Sequence, residues 1–587
     1  MFYKKVLPVF LAVLPLVSVF ARVEKPDFYS CHKKKGFVVP DITRQARGAA
    51  SAKMSQDLYN CLAEKCTKRR YSFCVCKRCD NKSYFTSSYS VCSSIAPIEK
   101  LFLSRRMQRV KQSLESFIGI SIEESSVPLI GACFGGGGCR ALLQTAGWLG
   151  GAERIGLFDT LCYMSGLSGS TWALNSLVAS GLSPTAFKQQ LAHRLELTIA
   201  EHMRALLLED KDEISIVLAK KVSLQRPMSV VDDFGILLAR IFLKGLVANP
   251  YSLSLFDLSY LLFDGNYPFP LSTATSSVVK VPQKRRLSFE FSPLFAGSFE
   301  LSSFVSTRSF GALYDKGVVQ SNSDYSESLG FVMGLCGSAF ALDLNSVIEE
   351  FCRGFLCTEH DGKKVGKNEA IISAFKGVAC TLISKLGERL GVVSSNQHRS
   401  PKTIFMREQW GAASCANFAK GLYETSVGSI DSLVLVDAGF EVVDSDRLCL
   451  GIMPLLYRGV NLIYVVGTAR DYNDVSSLRA AEKKAHLLGL KFPPITYESI
   501  GKTGASVFID EDDLKSPIIV YMPGRAHQGY SLFDPAQEEC TRTLNFTYTQ
   551  REAEALMGLS DFIVGESKEI LRYAGKRAVE RKMKENA

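Results

Sequence analysis

Beyond its N-terminus the 587-residue chain has no run of eighteen or more apolar residues. Nothing further along is therefore long enough to cross a bilayer as an apolar helix. There is no internal repeat, which excludes solenoids and propellers. There is no low-complexity tract, and 47% hydrophobic with 22% charged residues is a globular composition. No RNA- or DNA-binding motif accompanies the formal net charge of +10. That charge suits an anionic surface such as a phospholipid membrane, and a solvated basic face would satisfy it equally. The length is more than one core usually fills and points to two to four structural units.

The N-terminus reads as a signal peptide. Lys4 and Lys5 precede an apolar run from Val6 to Ala21, broken by Pro8 and Pro15. Val19 and Ala21 fit the small-residue cleavage pattern, so residues 1–21 would be removed and Arg22 would begin the mature chain. This predicts a secreted or periplasmic protein with peripheral membrane association. Seven of the 17 cysteines, Cys31, Cys61, Cys66, Cys74, Cys76, Cys79 and Cys92, fall in residues 22–98, a basic cysteine-rich module. Disulfides are the natural reading in a secreted chain, with one thiol left over. A zinc site around the Cys76/Cys79 pair is the rival, but no second pair completes it.

From residue 99 onward the pattern is α/β. Val127–Cys133 is a short apolar strand that runs into Gly135-Gly136-Gly137-Gly138, followed by a helix from Arg140 to Ile155. Leu161–Ser165 is a second strand and Thr171–Ala179 opens another helix. Strand, turn and helix in alternation imply a central, mostly parallel sheet flanked by helices. Ser432–Val436, Val460–Val466 and Ile518–Tyr521 read as further strands, and Ser476–Leu488 as a helix stopped by Gly489. Residues 200–290 read as helical. Residues 340–425 read as an insertion capping the sheet, and Glu566–Ala587 as a basic helix.

Three segments can carry chemistry. In Gly166-Leu167-Ser168-Gly169-Ser170, a serine lies on a tight strand-to-helix turn, where flanking glycines permit a sharp bend. The general elbow ends in glycine, and here Ser170 stands instead; a simple Gly/Ser turn also fits. The glycine run exposes backbone N–H groups that can cradle a phosphate or an oxyanion. Gly136, Gly138 and Ala141 also fit a dinucleotide fingerprint, but the acid it needs, Asp159, comes before the next strand and not at its end. A Walker loop is excluded by the missing Gly-Lys-Ser/Thr. In Val436-Asp437-Ala438-Gly439 an acid ends a buried strand, as either a site residue or a turn former. A hydrolase serine commonly pairs with a histidine, and His527 in a loop is a better candidate than His486 on a charged helix. A buried carboxylate with a raised pKa is the alternative base.

Jointly, FGGGGCRA at 134–141, GLSGSTW at 166–172, VDAG at 436–439 and RGVN at 458–461 resemble the catalytic domain of the group IV cytosolic phospholipase A2 family. Patatin and fungal lysophospholipases are more distant likenesses. Softer matches are FEFSP at 289–293, GSAF at 337–340 and LNFTY at 544–548. The resemblance implies a Ser–Asp dyad, with Ser168 as nucleophile and Asp437 as base, acting on phospholipid acyl esters without a metal or other cofactor. It implies an oxyanion hole from Gly137 and Gly138, and substrate-phosphate contacts from Arg140 and Arg458. Lysophospholipase or acyltransferase activity, or lipid binding without catalysis, are the alternatives. Cys139 replaces a usual aromatic residue and Cys336 a usual tryptophan. The calcium-dependent lipid-binding module of many relatives has no counterpart.

Overall fold

The computed structural model describes residues 89–90, 97–338 and 412–587, apart from 225, 228, 281–284, 321–325, 423–426, 470–474, 502–503 and 544. The expected signal peptide and nearly all of the cysteine-rich module lie outside the described residues, as does most of the expected cap.

Twelve strands form one sheet. In chain order they are β1 Tyr89–Ser90, β2 Ile130–Phe134, β3 Tyr163–Leu167, β4 Phe269–Lys280, β5 Arg285–Phe291, β6 Phe295–Ser298, β7 Ser303–Ser306, β8 Ala413–Ala416, β9 Ser432–Asp437, β10 Leu462–Gly467, β11 Ser506–Phe508 and β12 Ile518–Pro523. The centre runs β4-β3-β2-β10-β12 and is parallel throughout. Strands β2, β3, β10 and β12 are buried at every position. Continuous apolar strands of this kind require cover on both faces. The cover includes α1 Pro97–Ile118, α2 Gly138–Arg154, α3 Gly169–Ser180, α4 Val230–Phe242, α5 Leu329–Cys336, α6 Met453–Tyr457, α7 Ser476–Leu487, α8 Gln550–Glu566 and α9 Lys568–Asn586. The expected mostly parallel, helix-flanked central sheet is thus present.

Three expectations need correction or narrowing. Residues 269–280 and 285–290, within the range read as helical, lie in β4 and β5. The Ser/Thr-rich β4 suits a strand between two partners: Thr273 donates to the Gly166 carbonyl and Thr275 to the Leu287 carbonyl, both at 3.0 Å. The expected cap range ends inside the sheet, because Ala413–Ala416 pairs antiparallel with β9. The basic C-terminal helix α9 is not simply a solvated rod. Leu571, Ala574, Ala578 and Val579 are buried, and Arg581 binds the Asp513 and Ser516 carbonyls.

One topological detail brings the site together. Strand β4 pairs with β3 up to Leu167–Thr273 and then continues past it. Strand β9 runs back along that extension, pairing Leu435 with Ser276 and Asp437 with Ala274. The last residue of β9 therefore arrives one position beyond the partner of Leu167, beside the turn that follows β3.

Candidate active site

Ser168 links β3 to α3 with φ 54° and ψ −126°. This left-hand-side φ is strained for a residue with a Cβ, and it is the geometry of a nucleophile elbow. The turn is held locally. The Thr171 hydroxyl and N–H both donate to the Ser168 carbonyl, at 2.6 and 2.9 Å. Ser170, which departs from the elbow pattern, donates its hydroxyl to the Gly135 carbonyl and accepts from Thr145 at 2.9 Å. A glycine there would lose the tie between the elbow and the glycine loop.

The glycine loop packs directly on the elbow. A Cβ on Gly136 would lie 2.7 Å from Leu167 Cδ2 and 3.1 Å from Ser168 Cβ, so a side chain there would press on the elbow and force Leu167 to move. Gly137 and Gly138 adopt φ of 142° and 60° at the start of α2. Helical N–H groups at this position have no intrahelical acceptor. The Arg140 guanidinium lies against Gly137, donating to the Thr468 carbonyl at 2.9 Å and the Thr541 carbonyl at 2.6 Å. A third segment clamps the loop, since Gly136 N–H donates to the Cys449 carbonyl and Gly451 N–H to the Phe134 carbonyl.

Asp437 is 2% exposed and Ser168 is 4% exposed. Burial pushes the Asp437 carboxyl up to about 6; the Ser168 hydroxyl and the Gly439 N–H pull only partly the other way. Oδ1 accepts from Gly439 N–H at 2.8 Å, whereas Oδ2 is buried without a conventional hydrogen-bond partner. A desolvated carboxylate within hydrogen-bonding reach of a serine hydroxyl is chemically suited to take its proton. Cys336, where a tryptophan was expected, is fully buried with Asp437 acting on its thiol, so this departure borders the acid. Cys139 is also buried, on α2.

Arg458 is placed differently from the other candidates. Its guanidinium binds both oxygens of Glu99 and both of Glu290, at 2.7–3.1 Å, and all three side chains are buried. Burial acts to lower the Arg458 pKa, but the two glutamates raise it well above the ordinary value. Its donors are spent on two internal carboxylates, at the level of Tyr163 and not of Ser168; Tyr163 donates to the same Glu99. The substrate-phosphate role expected for Arg458 is corrected to a structural ion cluster. His527 accepts from Gly529 N–H and packs on Phe562, and His486 is solvent-facing. Neither figures among the groups acting on Asp437.

Sequence reasoning missed several supporting residues: Thr145, Thr468, Cys449, Thr541 and Ser338. Thr145 bonds the Ser170 hydroxyl through its own hydroxyl, and Thr468, Cys449, Thr541 and Ser338 bond site residues from distant parts of the chain; of these only Ser338 falls in a motif noted above, GSAF. Among the described residues, no group of three or more His, Cys, Asp or Glu is arranged to hold a metal. No described helix is long and apolar enough to cross a membrane.

A strained serine on a strand–helix elbow, a glycine loop packed on it and a buried acid beside it define a serine-hydrolase-like α/β site. Comparison with known proteins narrows the class. Residues 130–359 match the family model of the lysophospholipase catalytic domain. The chain is 25% identical over 545 residues to human cytosolic phospholipase A2 zeta, covering 82% of this chain and 61% of that protein. It is 28% identical over 247 residues to mouse cytosolic phospholipase A2 gamma, covering 41% of this chain and 38% of that one. The structure of human GIVD cytosolic phospholipase A2 matches with a TM-score of 0.65 at 19% identity, over 84% of this chain and 66% of that one. The same protein in complex with methyl gamma-linolenyl fluorophosphonate gives 0.60. Over most of its length this chain is similar to group IV cytosolic phospholipases A2, and it spans about 61% of the length of the human zeta relative.

These relatives overturn the secreted or periplasmic location expected from the N-terminus, because the proteins matched are named cytosolic.

Proposed function

We propose that this chain is a phospholipase that hydrolyses acyl esters of glycerophospholipids through Ser168 and Asp437. The observation that carries the reading is the buried Asp437 carboxyl, raised by desolvation and engaged by the Ser168 hydroxyl, with that serine held at positive φ. Asp437 Oδ2 takes the Ser168 proton as Oγ attacks the ester carbonyl. The Gly137 and Gly138 N–H groups receive the oxyanion. The tetrahedral intermediate collapses, the proton passes to the departing lysophospholipid oxygen, and an acyl-enzyme remains. Water, deprotonated by Asp437, then releases the fatty acid. Arg140, beside Gly137, supplies the positive charge nearest the oxyanion loop and would face the substrate phosphate.

A mainly apolar cleft, enclosing a cavity of about 30 Å³, adjoins the residues next to the dyad, lined by Leu167, Ala438, Phe289, Leu448, Met453 and Tyr457 with Glu290 and Glu441 also on its wall. Its chemistry suits an acyl chain, and the basic chain suits an anionic phospholipid surface. The test is fatty-acid release from phospholipid vesicles. Ser168→Ala and Asp437→Asn should each abolish it, and full activity in either would refute the dyad.

The family match favours one further reading, a lysophospholipase or acyltransferase using the same dyad. Product analysis with lysophospholipid and an acceptor alcohol separates the two.

A further inference from the structure

The Ser–Asp reading requires that two side chains from remote strands meet at a fixed separation. Ser168 caps α3 on the parallel side of the sheet; Asp437 ends β9 on the antiparallel side. Pairing of β9 with β4 brings the two into one neighbourhood, and a buried chain of contacts also connects them.

Trp172 lies one helical turn after Ser168 on α3 and is 1% exposed. Its Nε1–H donates at 2.9 Å to the Met333 carbonyl, at the C-terminal end of α5. That helix end is held further by Gly337 N–H, which donates to Met333 and Gly334, and by the Ser338 hydroxyl, which donates at 3.1 Å to Leu335. The Ser338 oxygen in turn accepts the backbone N–H of Asp437 at 3.3 Å. Ser338 is completely buried. The path from nucleophile to base therefore runs through Trp172, the end of α5 and Ser338, with a directed hydrogen bond at each junction.

Packing makes the path stiff. The indole stacks between Phe242 and Phe546, with ring centroids 5.8 Å away in each case, and Phe234 meets its edge. A Cβ on Gly337 would lie 2.4 Å from the indole, so only glycine lets α5 end against Trp172. The Trp of GLSGSTW and the Gly-Ser of GSAF thus acquire a joint physical reason, although they lie more than 160 residues apart.

We propose that Trp172 and Ser338 are positioning residues that set the Ser168–Asp437 geometry, acting through the α5 terminus and not on substrate. This rests on the dyad reading above. Misplacement of reacting groups by about 1 Å can cost on the order of a hundred-fold in rate, so partial loosening should be visible in rate constants.

The test uses the full chain and a fluorophosphonate probe. Wild type, W172F, S338A and the double variant are compared for the rate constant and the final amplitude of serine labelling, alongside kcat and KM on phospholipid vesicles. W172F keeps an aromatic ring in the stack but removes the donor together with part of the indole's volume, so both of its losses act on the contact with the α5 terminus. Each single variant should label about ten-fold more slowly, with undiminished amplitude and unchanged KM. The double variant should fall well short of the hundred-fold product, because both changes cut one path. Wild-type rate constants in the single variants would overturn the proposal, as would a loss confined to amplitude, which reports only less folded protein. If S338A fails to fold, W172F alone decides. An unlabelled wild type, or labelling that survives Ser168→Ala, refutes the dyad and the bracket with it; a labelled, Ser168-dependent wild type with indifferent W172F and S338A refutes the bracket alone.

Discussion

The two halves of the sheet contribute to the site by different means. The parallel half, β2 and β3, supplies the glycine loop and Ser168 as strand–turn–helix units. Each is complete within about ten residues, and its geometry follows from glycines and caps next to one another. The antiparallel half supplies only Asp437, and it does so through pairing of β9 with the overrunning part of β4. Local turns shape the proposed nucleophile and oxyanion loop, whereas sheet register delivers the proposed base. The first half should therefore be sensitive to changes in backbone shape, and the second to changes in charge and long-range support.

The sharpest break is at the dyad. Ser168→Ala should lower fatty-acid release by at least about a thousand-fold, and Asp437→Asn by a similar factor, because the two act as a unit. Next comes backbone shape: Gly136→Ala places a Cβ against Leu167 and Ser168 and should reduce the labelling rate of Ser168 more than ten-fold, read with a fluorophosphonate probe. Arg458→Met provides the contrast. It leaves Glu99 and Glu290 buried without their cation and should cost about 3–5 kcal/mol in denaturant unfolding, while Arg140→Met should chiefly affect turnover of phosphate-bearing substrates.

The smallest expected effect is in pH dependence, and its sign separates activity from stability. Asp437 must be ionised to act as base, so kcat/KM should rise through about pH 6. The same raised pKa means that the folded state holds this proton more tightly than the unfolded chain. The stabilising effect of the protonated form is fully present below the unfolded value near 3.8 and is lost as pH rises through about 6. Asp437→Asn should therefore be inactive yet more stable than wild type at pH 8, by on the order of 1–3 kcal/mol. Equal or lower stability at pH 8 in thermal or urea unfolding would show that the carboxylate is solvated better than its burial implies.

Much of the architecture was legible because it is written in short periods. The apolar runs around β2, β3, β10 and β12 and the glycine-marked turns placed the central sheet within two or three residues. The antiparallel extension was not legible. The Ser/Thr-rich run of β4 is amphipathic in neither clear period, and its strand character comes from partners on both sides. Arg458 shows the same limit at the level of one residue. Its motif context suggested a phosphate ligand, yet Glu99 lies 359 positions away in the chain and occupies it.

Sequence alone determined the parts whose conformation depends on immediate neighbours: a serine between glycines at a strand end, a run of glycines before a helix, and an acid closing a buried strand. Tertiary structure decided everything that depends on who arrives from elsewhere. It set both candidate histidines apart from the acid, linked Trp172 and Ser338 through the end of α5, paired Arg458 with two glutamates and desolvated Asp437. The physical reason is that backbone turns are governed by sterics within a few bonds, whereas burial, charge pairing and the pKa of a carboxyl are set by atoms hundreds of residues distant.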